Sequence, residues 1–219
     1  MESDVVGPLA VQPLPVALGQ LKPIVEWWLT STDAIQPGDA PPATAGESLA
    51  LISSDAPELL PISGALCALL TNRDAAQVTS TTYDEFGRID HDAWMIECAL
   101  VRDHLAHLRP LRSNLPELRA SVPAEISDLS DRMCAPGGGP IIVDGPIAAA
   151  SLLLAYESDP ECLERIRPLQ SGQSQTESLT WEYLRIDPIL PISTGYPDGE
   201  LLDVGIALIN RALTLATRR

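Results

Sequence analysis

Two apolar patterns alternate along the chain. Residues 48–52 (Ser-Leu-Ala-Leu-Ile) and 141–143 (Ile-Ile-Val) are short runs, largely apolar and bounded by turn-forming residues. That is the pattern of strands buried on both faces. Elsewhere apolar residues recur every three or four positions, the period of a helix with one buried face. The clearest case has Trp94, Cys98, Val101, Leu105 and Leu108 in a single stripe. Asp90 stands ahead of it as an N-cap, Asp92 suits the positive end of the helix, and Arg109-Pro110 ends it. A similar stripe, Leu18, Leu21, Val25, Trp28 and Leu29, predicts a helix over 16–30, with Pro23 in its first turn or at a kink. Helices are also predicted over 61–70, over 115–133 with a break at Pro123, over 160–168, over 179–184 and over 201–216. Ile126 and Leu129 are expected to face the core. Prolines limit residues 187–192 to a weak strand or an extended segment.

The stretch that organises these elements runs from Gly137 to Pro146 and into the helix that follows. A glycine turn leads into Ile141-Ile142-Val143, then Asp144-Gly145, then Pro146 where the first helical residue would stand. Residues 147–156 are rich in alanine and leucine and favour a helix. A strand, a tight turn and a helix in this order place Asp144 at the carboxyl end of a strand, where open parallel sheets bind ligands. Asp144 has two readings, a cap or turn residue that satisfies local amides, or a ligand-facing carboxylate. The alternation of strands and helices predicts an α/β fold, a truncated parallel, Rossmann-like sheet flanked by helices. The expected organisation is a lead and helix over 1–30, a proline- and glycine-bearing linker over 31–47, and an α/β domain over 48–219.

Composition narrows the partners more than the fold. Apolar residues make up 45%, enough for a core, and only 4% are aromatic, so leucine, isoleucine, valine and alanine must build it. A formal net charge of −16 excludes nucleic acid and anionic membranes, which need clustered lysine and arginine. The acidic N-terminus has no basic region followed by an apolar one, and no apolar run reaches membrane-spanning length. Four widely spaced cysteines without a C-x-x-C pattern read as free thiols of a cytoplasmic protein. His91, His104 and His107 lack a matching set of further ligands, so they read as a helix flank and not as a metal site.

Several stretches, in the same order, resemble one family. Residues 14–21 (Leu-Pro-Val-Ala-Leu-Gly-Gln-Leu) are similar to an opening helix that begins P-P-G-S-L-G-R-L. Residues 65–78 are similar to A-A-L-L-A-A-L-T-G-R-D-A-A-E-V. Residues 89–103 match the helix after a G-R-G-T-G turn. Pro140-Ile-Ile-Val-Asp-Gly145 matches P-V-L-L-D-G, residues 171–178 (Ser-Gly-Gln-Ser-Gln-Thr-Glu-Ser) resemble A-G-H-R-S-T-E-P, and residues 186–192 resemble L-E-P-L-L-D-L. The family is that of the nicotinate-nucleotide:dimethylbenzimidazole phosphoribosyltransferases of cobalamin biosynthesis, and the likeness spans about three quarters of the chain.

The resemblance implies transfer of phosphoribose from nicotinate mononucleotide to a nitrogen of dimethylbenzimidazole, with release of nicotinate. That chemistry needs a carboxylate to take the azole proton, amides at a helix start to cradle the phosphate, and an apolar slot for the flat base. On this basis Asp144, Gly145, Ser174, Glu177 and Gly195 are the expected substrate-binding residues, with no cofactor and no metal. The chemical positions depart from the family where the core-packing ones do not. The family's base, the Glu of L-G-E-G-T-G-A, is replaced by Tyr196, a phenol of pKa about 10 that is a poor base at neutral pH. Asp198 and Glu200 are the nearest substitutes. The family's glycine loop, G-E-M-G-I-G-N-T-T, is replaced by residues 53–61, which contain Asp55 and Glu58 and no glycine. A long segment of the family between its first helix and that loop is reduced here to the linker. The expected function is therefore that of a diverged relative, non-catalytic alone. It would bind nicotinate mononucleotide or a benzimidazole-like molecule, or pair as a homodimer or with a complete family member. The alternative is an active phosphoribosyltransferase in which another carboxylate serves as the base.

Overall fold

The computed structural model describes residues 50–52, 56–136 and 140–191. The two apolar runs form strands as their pattern requires. β1 (Ala50–Ile52) and β2 (Ile141–Val143) pair in parallel, with Ala50 opposite Ile141 and Ile52 opposite Val143. A third parallel strand, β3 (Ile166–Pro168), lies on the other side of β2, with Ile141 opposite Ile166 and Val143 opposite Pro168. The sheet of the described residues thus has the order β1-β2-β3. All three residues of β2 are buried, as befits a central strand covered on both faces.

Seven helices surround it among the described residues. They are α1 (Leu60–Thr71), α2 (Ala75–Val78), α3 (His91–Leu108), α4 (Leu115–Ser121), α5 (Ala124–Cys134), α6 (Pro146–Ser158) and α7 (Gln175–Leu184). α1 and α6 form the centre of the core. α1 buries every residue from Ile62 to Leu70, and α6 every residue from Pro146 to Ala155. A helix apolar all round is one enclosed on all sides. α1 stops at Asn72, which adopts the left-handed conformation common after a helix end. α3 lays Val101, Leu105 and Leu108 on the core, and the Asp90 side chain accepts from the Ala93 amide at 3.0 Å. Pro123 separates α4 from α5, and Ile126 is fully buried.

The α/β class, with a parallel sheet flanked by helices, is what the structure shows. Two local expectations are corrected. The helix predicted over 160–168 is a 3-10 turn, Pro160–Arg165, followed by strand β3. The helix predicted from 179 starts at Gln175. Within the segment predicted to be extended, 187–192, Leu190 makes a parallel bridge to Gln170, with the Leu190 amide donating to the Leu169 carbonyl at 2.8 Å. The predicted elements over 16–30, 31–47 and 201–216, and the glycine turn at 137–139, lie outside the described residues. No helix among the described residues is long and apolar enough to cross a membrane.

Candidate functional site

The carboxyl ends of β2 and β3 meet at a buried polar cluster. Asp144 directly follows β2 and is 1% exposed. Gly145 then takes φ 90° and ψ 160°, a backbone shape that L side chains rarely adopt, and delivers the chain into α6 at Pro146. This turn places Asp144 beside the amino end of α6, where the helix dipole favours negative charge. Across the sheet, two residues past β3, Gln170 is also 1% exposed, and its side-chain amide donates to Asp144 Oδ1 at 3.1 Å.

Glu177 joins the two strand ends. It is fully buried, and its carboxylate collects donors from both. The Gly145 amide donates to Oε1 at 3.2 Å. The amides of Gln173 and Ser174 donate to Oε2 at 3.0 and 2.9 Å, and the Ser174 hydroxyl does so at 2.9 Å. The Glu177 amide in turn donates to Ser174 Oγ at 3.1 Å, which completes a capping box at the start of α7. Burial pushes the Glu177 carboxyl above its ordinary range and the Asp144 charge adds to this, while the Ser174 and Gln173 donors hold it back. The loop that carries these residues is tight at Gly172 (φ +94°). A Cβ there would sit 2.9 Å from Glu177 Cβ and 3.0 Å from the Ser178 amide nitrogen. The Thr176 hydroxyl donates to the Val78 carbonyl at 3.2 Å, and the Gln175 amide to Ser80 Oγ at 3.0 Å, so α7 is anchored to the end of α2 and the chain just after it.

The third strand end is built differently. After β1 the described chain resumes at Ala56 and makes a 3-10 turn, Pro57–Leu59, before α1. The Leu59 amide donates to the Ala56 carbonyl at 3.0 Å, and the Leu60 amide to the Pro57 carbonyl. Pro61, in the first turn of α1, has no amide proton. Glu58 is exposed. One turn further, Ser63 is fully buried, and its hydroxyl lacks a hydrogen-bond partner; Trp181 Nε1 is the other such buried side-chain atom among the described residues. The start of α1 therefore presents few amides to an anion.

Of the residues expected from sequence, the structure brings together Asp144, Gly145, Ser174 and Glu177. Gly195, Tyr196, Asp198 and Glu200 lie outside the described residues, as does Asp55. Gln170 was not expected. Its signal depends on recognising β3, after which it stands near the strand end much as Asp144 does after β2. The histidines of α3 gather no further ligands, and no metal-binding group of side chains occurs among the described residues. All four cysteines are free, and burial raises the thiols of Cys67, Cys134 and Cys162, the last to about 12. The cluster is thus a carboxylate pair locked by neutral donors at the carboxyl edge of a parallel sheet. This edge is where parallel sheets place their ligands, and here both carboxyl groups are closed to solvent and engaged by the protein's own donors.

Comparison with known proteins agrees with this architecture. The family model for phosphoribosyltransferase (DBI_PRT) matches residues 61–218. The crystal structure of CobT from Thermus thermophilus superposes with a TM-score of 0.62 at 19% identity, over 79% of this chain and 50% of that one. A crystal structure of nicotinate-nucleotide-dimethylbenzimidazole phosphoribosyltransferase from the same organism does so with a TM-score of 0.61 at 17% identity, over 78% of this chain and 50% of that one. The chain spans about half the length of these solved structures, and at such identity the likeness is one of fold. No match was found among the curated proteins. With the family model covering most of its length, the chain belongs to the DBI_PRT phosphoribosyltransferase family.

Proposed function

We propose that this chain is a diverged relative of the nicotinate-nucleotide:dimethylbenzimidazole phosphoribosyltransferases that binds a ligand of that chemistry, or serves as a partner subunit, and does not transfer phosphoribose alone. The observation that carries the reading is the inequality of the strand ends. Asp144, Gln170 and Glu177 keep a built polar cluster after β2 and β3. The start of α1, after β1, has prolines and engaged amides where a phosphate cradle would need free ones. Tyr196 at the family's base position supports the same reading from sequence. The suggested ligands are nicotinate mononucleotide or a flat benzimidazole-like base, held at Asp144. A second copy or a complete family member would supply what the α1 side lacks.

The test is nicotinate release, followed by chromatography with nicotinate mononucleotide and dimethylbenzimidazole as substrates, for the wild type and Tyr196→Glu. No turnover is expected from either, because groups that act as a unit are not restored one at a time. Calorimetry with nicotinate mononucleotide should show binding that Asp144→Asn weakens. Turnover by the wild type above background would overturn the reading and make the chain an active transferase, with Asp198, Glu200 or Asp144 as the base.

A further inference from the structure

The four cysteines are far apart in sequence, yet the fold brings two of them together. Cys134 is the last residue of α5, and Cys162 lies in the 3-10 turn Pro160–Arg165 between α6 and β3. Their side chains are in hydrogen-bonding contact. Cys162 is 3% exposed, whereas Cys134 is only half-buried and so open to a reagent. Cys67 instead faces Thr176 and Thr180 in the core.

The backbone around the pair is fixed without any bond between the sulfurs. Arg165, at the end of the same 3-10 turn, donates from its guanidinium to the carbonyls of Met133 and Ala135 at 2.6 and 2.7 Å. These two carbonyls flank Cys134 on either side. Cys134 Sγ also donates to the Ala155 carbonyl at 3.5 Å, which ties it to α6. The two segments are thus held against each other, as a disulfide needs, before one forms. Among charged groups, Asp159 faces both thiols, Asp131 and Arg119 face Cys134, and Arg165 faces Cys162. Burial raises both thiols, Cys162 to about 12, so the attacking thiolate is scarce at neutral pH. The same feature makes Cys162 a poor leaving group, so a bond once made is slow to reopen.

We infer that Cys134 and Cys162 form a dithiol site that closes into a disulfide by exchange with a small-molecule disulfide. The Cys134 thiolate attacks one sulfur of that oxidant and expels its other half as a thiol. Cys162 then gives up its proton and attacks Cys134 Sγ, expelling the second half as a thiol. The two protein thiols are oxidised, and the small disulfide is reduced to two thiols. The bond closes a ring around β2 and all of α6, joining the chain that enters β2 to the chain that enters β3. It stands on the side where these strands begin, so the cluster of Asp144, Gln170 and Glu177 at their carboxyl ends is left as it is. The inference does not rest on the ligand reading above.

The full chain is incubated with oxidised glutathione, alkylated with iodoacetamide and digested with trypsin. Both cysteines fall on one peptide, 133–165, bounded by Arg132 and Arg165. Closure should protect both sulfurs from alkylation and lower the mass of that peptide by one hydrogen molecule. Further cleavage after Glu157 should leave its two halves joined until dithiothreitol is added. The rate should rise about tenfold for each pH unit from neutral to about pH 9, as the thiolate fraction does. The closed form should have a urea midpoint about 1 M higher, since the ring restricts the unfolded chain. Cys162→Ser should keep glutathione attached at Cys134, Cys134→Ser should leave Cys162 unmodified, and Cys98→Ser should close as the wild type does. The wild-type peptide decides the matter whether or not the variants fold. Alkylation at both of its sulfurs after oxidation, a bond to Cys67 or Cys98 instead, closure only in urea, or a rate indifferent to pH overturns the inference.

Discussion

The strand ends after β2 and β3 and the strand end after β1 occupy equivalent places in one parallel sheet, and they are finished in opposite ways. After β2 and β3, Asp144, Gln170 and Glu177 are hydrogen-bonded to one another's segments, and Glu177 alone accepts from Gly145, Gln173 and Ser174. After β1, two prolines remove donors, the Leu59 and Leu60 amides are engaged within the turn, and the Ser63 hydroxyl is buried without a partner. A parallel sheet gathers its loops on one edge whatever they contain, so packing alone cannot distinguish a working edge from a vestigial one. The pairing of polar groups can. Where several donors converge on one buried carboxylate, as at Glu177, the local geometry is fixed.

The largest effect should come from the residue that ties the finished side together. Glu177→Ala removes the acceptor of three amides and one hydroxyl, and should cost about 3–4 kcal/mol, read from urea unfolding. A loss under about 1 kcal/mol would mean that these bonds are replaced by water and that the cluster is not held rigidly. The same residue gives the pH signature. Its carboxyl is raised chiefly by burial, so its contribution to stability is fully present below the ordinary glutamate value of about 4.3 and is lost as pH rises through the raised folded value. The stability of the wild type relative to Glu177→Gln should therefore improve on acidification from neutral pH into that window. Asp84, whose carboxyl is pulled down chiefly by the Arg88 amide, titrates with the opposite sign, but it is common to both proteins and cancels. A wild-type-minus-variant difference that is flat with pH, or that falls on acidification, would contradict a buried, raised Glu177.

Next in size is Ser174→Ala. It deletes the N-cap of α7 and one of the donors to Glu177, and should cost about 1–2 kcal/mol by the same measurement. If it costs nothing, the capping box is not what fixes the loop between β3 and α7.

How much of this could be read from the chain depends on where each signal lives. Strand β2, Asp144 and the start of α6 are local: an apolar run, Asp-Gly, then proline, each with its own conformational preference. β3 was hidden because Arg167 interrupts its three residues and Pro160 and Pro168 look like the borders of a short helix. Its register comes from pairing with β2, which no local pattern states. The start of α7 was legible in principle, since Ser174 and Glu177 have capping-box spacing, but the box lies inside a polar run without apolar period. Gln170 could not be assigned from sequence at all, because its partner is 26 residues away and the contact exists only once β2 and β3 are side by side. The exposed side of α3 is hidden in the sequence for a different reason. One apolar stripe explained the helix, and Met95, Ile96 and Leu100 fall on another face.

The smallest effect is the one that tests the unfinished side. Ser63 stands one turn into α1, fully buried, with a hydroxyl that neither donates nor accepts. A buried polar group without a partner keeps the cost of leaving water and gains nothing in return. Ser63→Ala removes that cost, places the best helix former in the interior of a helix, and leaves a void of only one oxygen. The substitution should therefore lie between no change and a gain of about 1 kcal/mol, with the urea midpoint rising and the slope unaltered. The contrast with Ser174→Ala, the same chemical change near the edge of the same sheet, is the sharpest form of the comparison. Should Ser63→Ala destabilise the protein by as much as Ser174→Ala does, the hydroxyl has a partner in solution. The start of α1 would then be a functioning half of the site, and the strand ends would be equals after all.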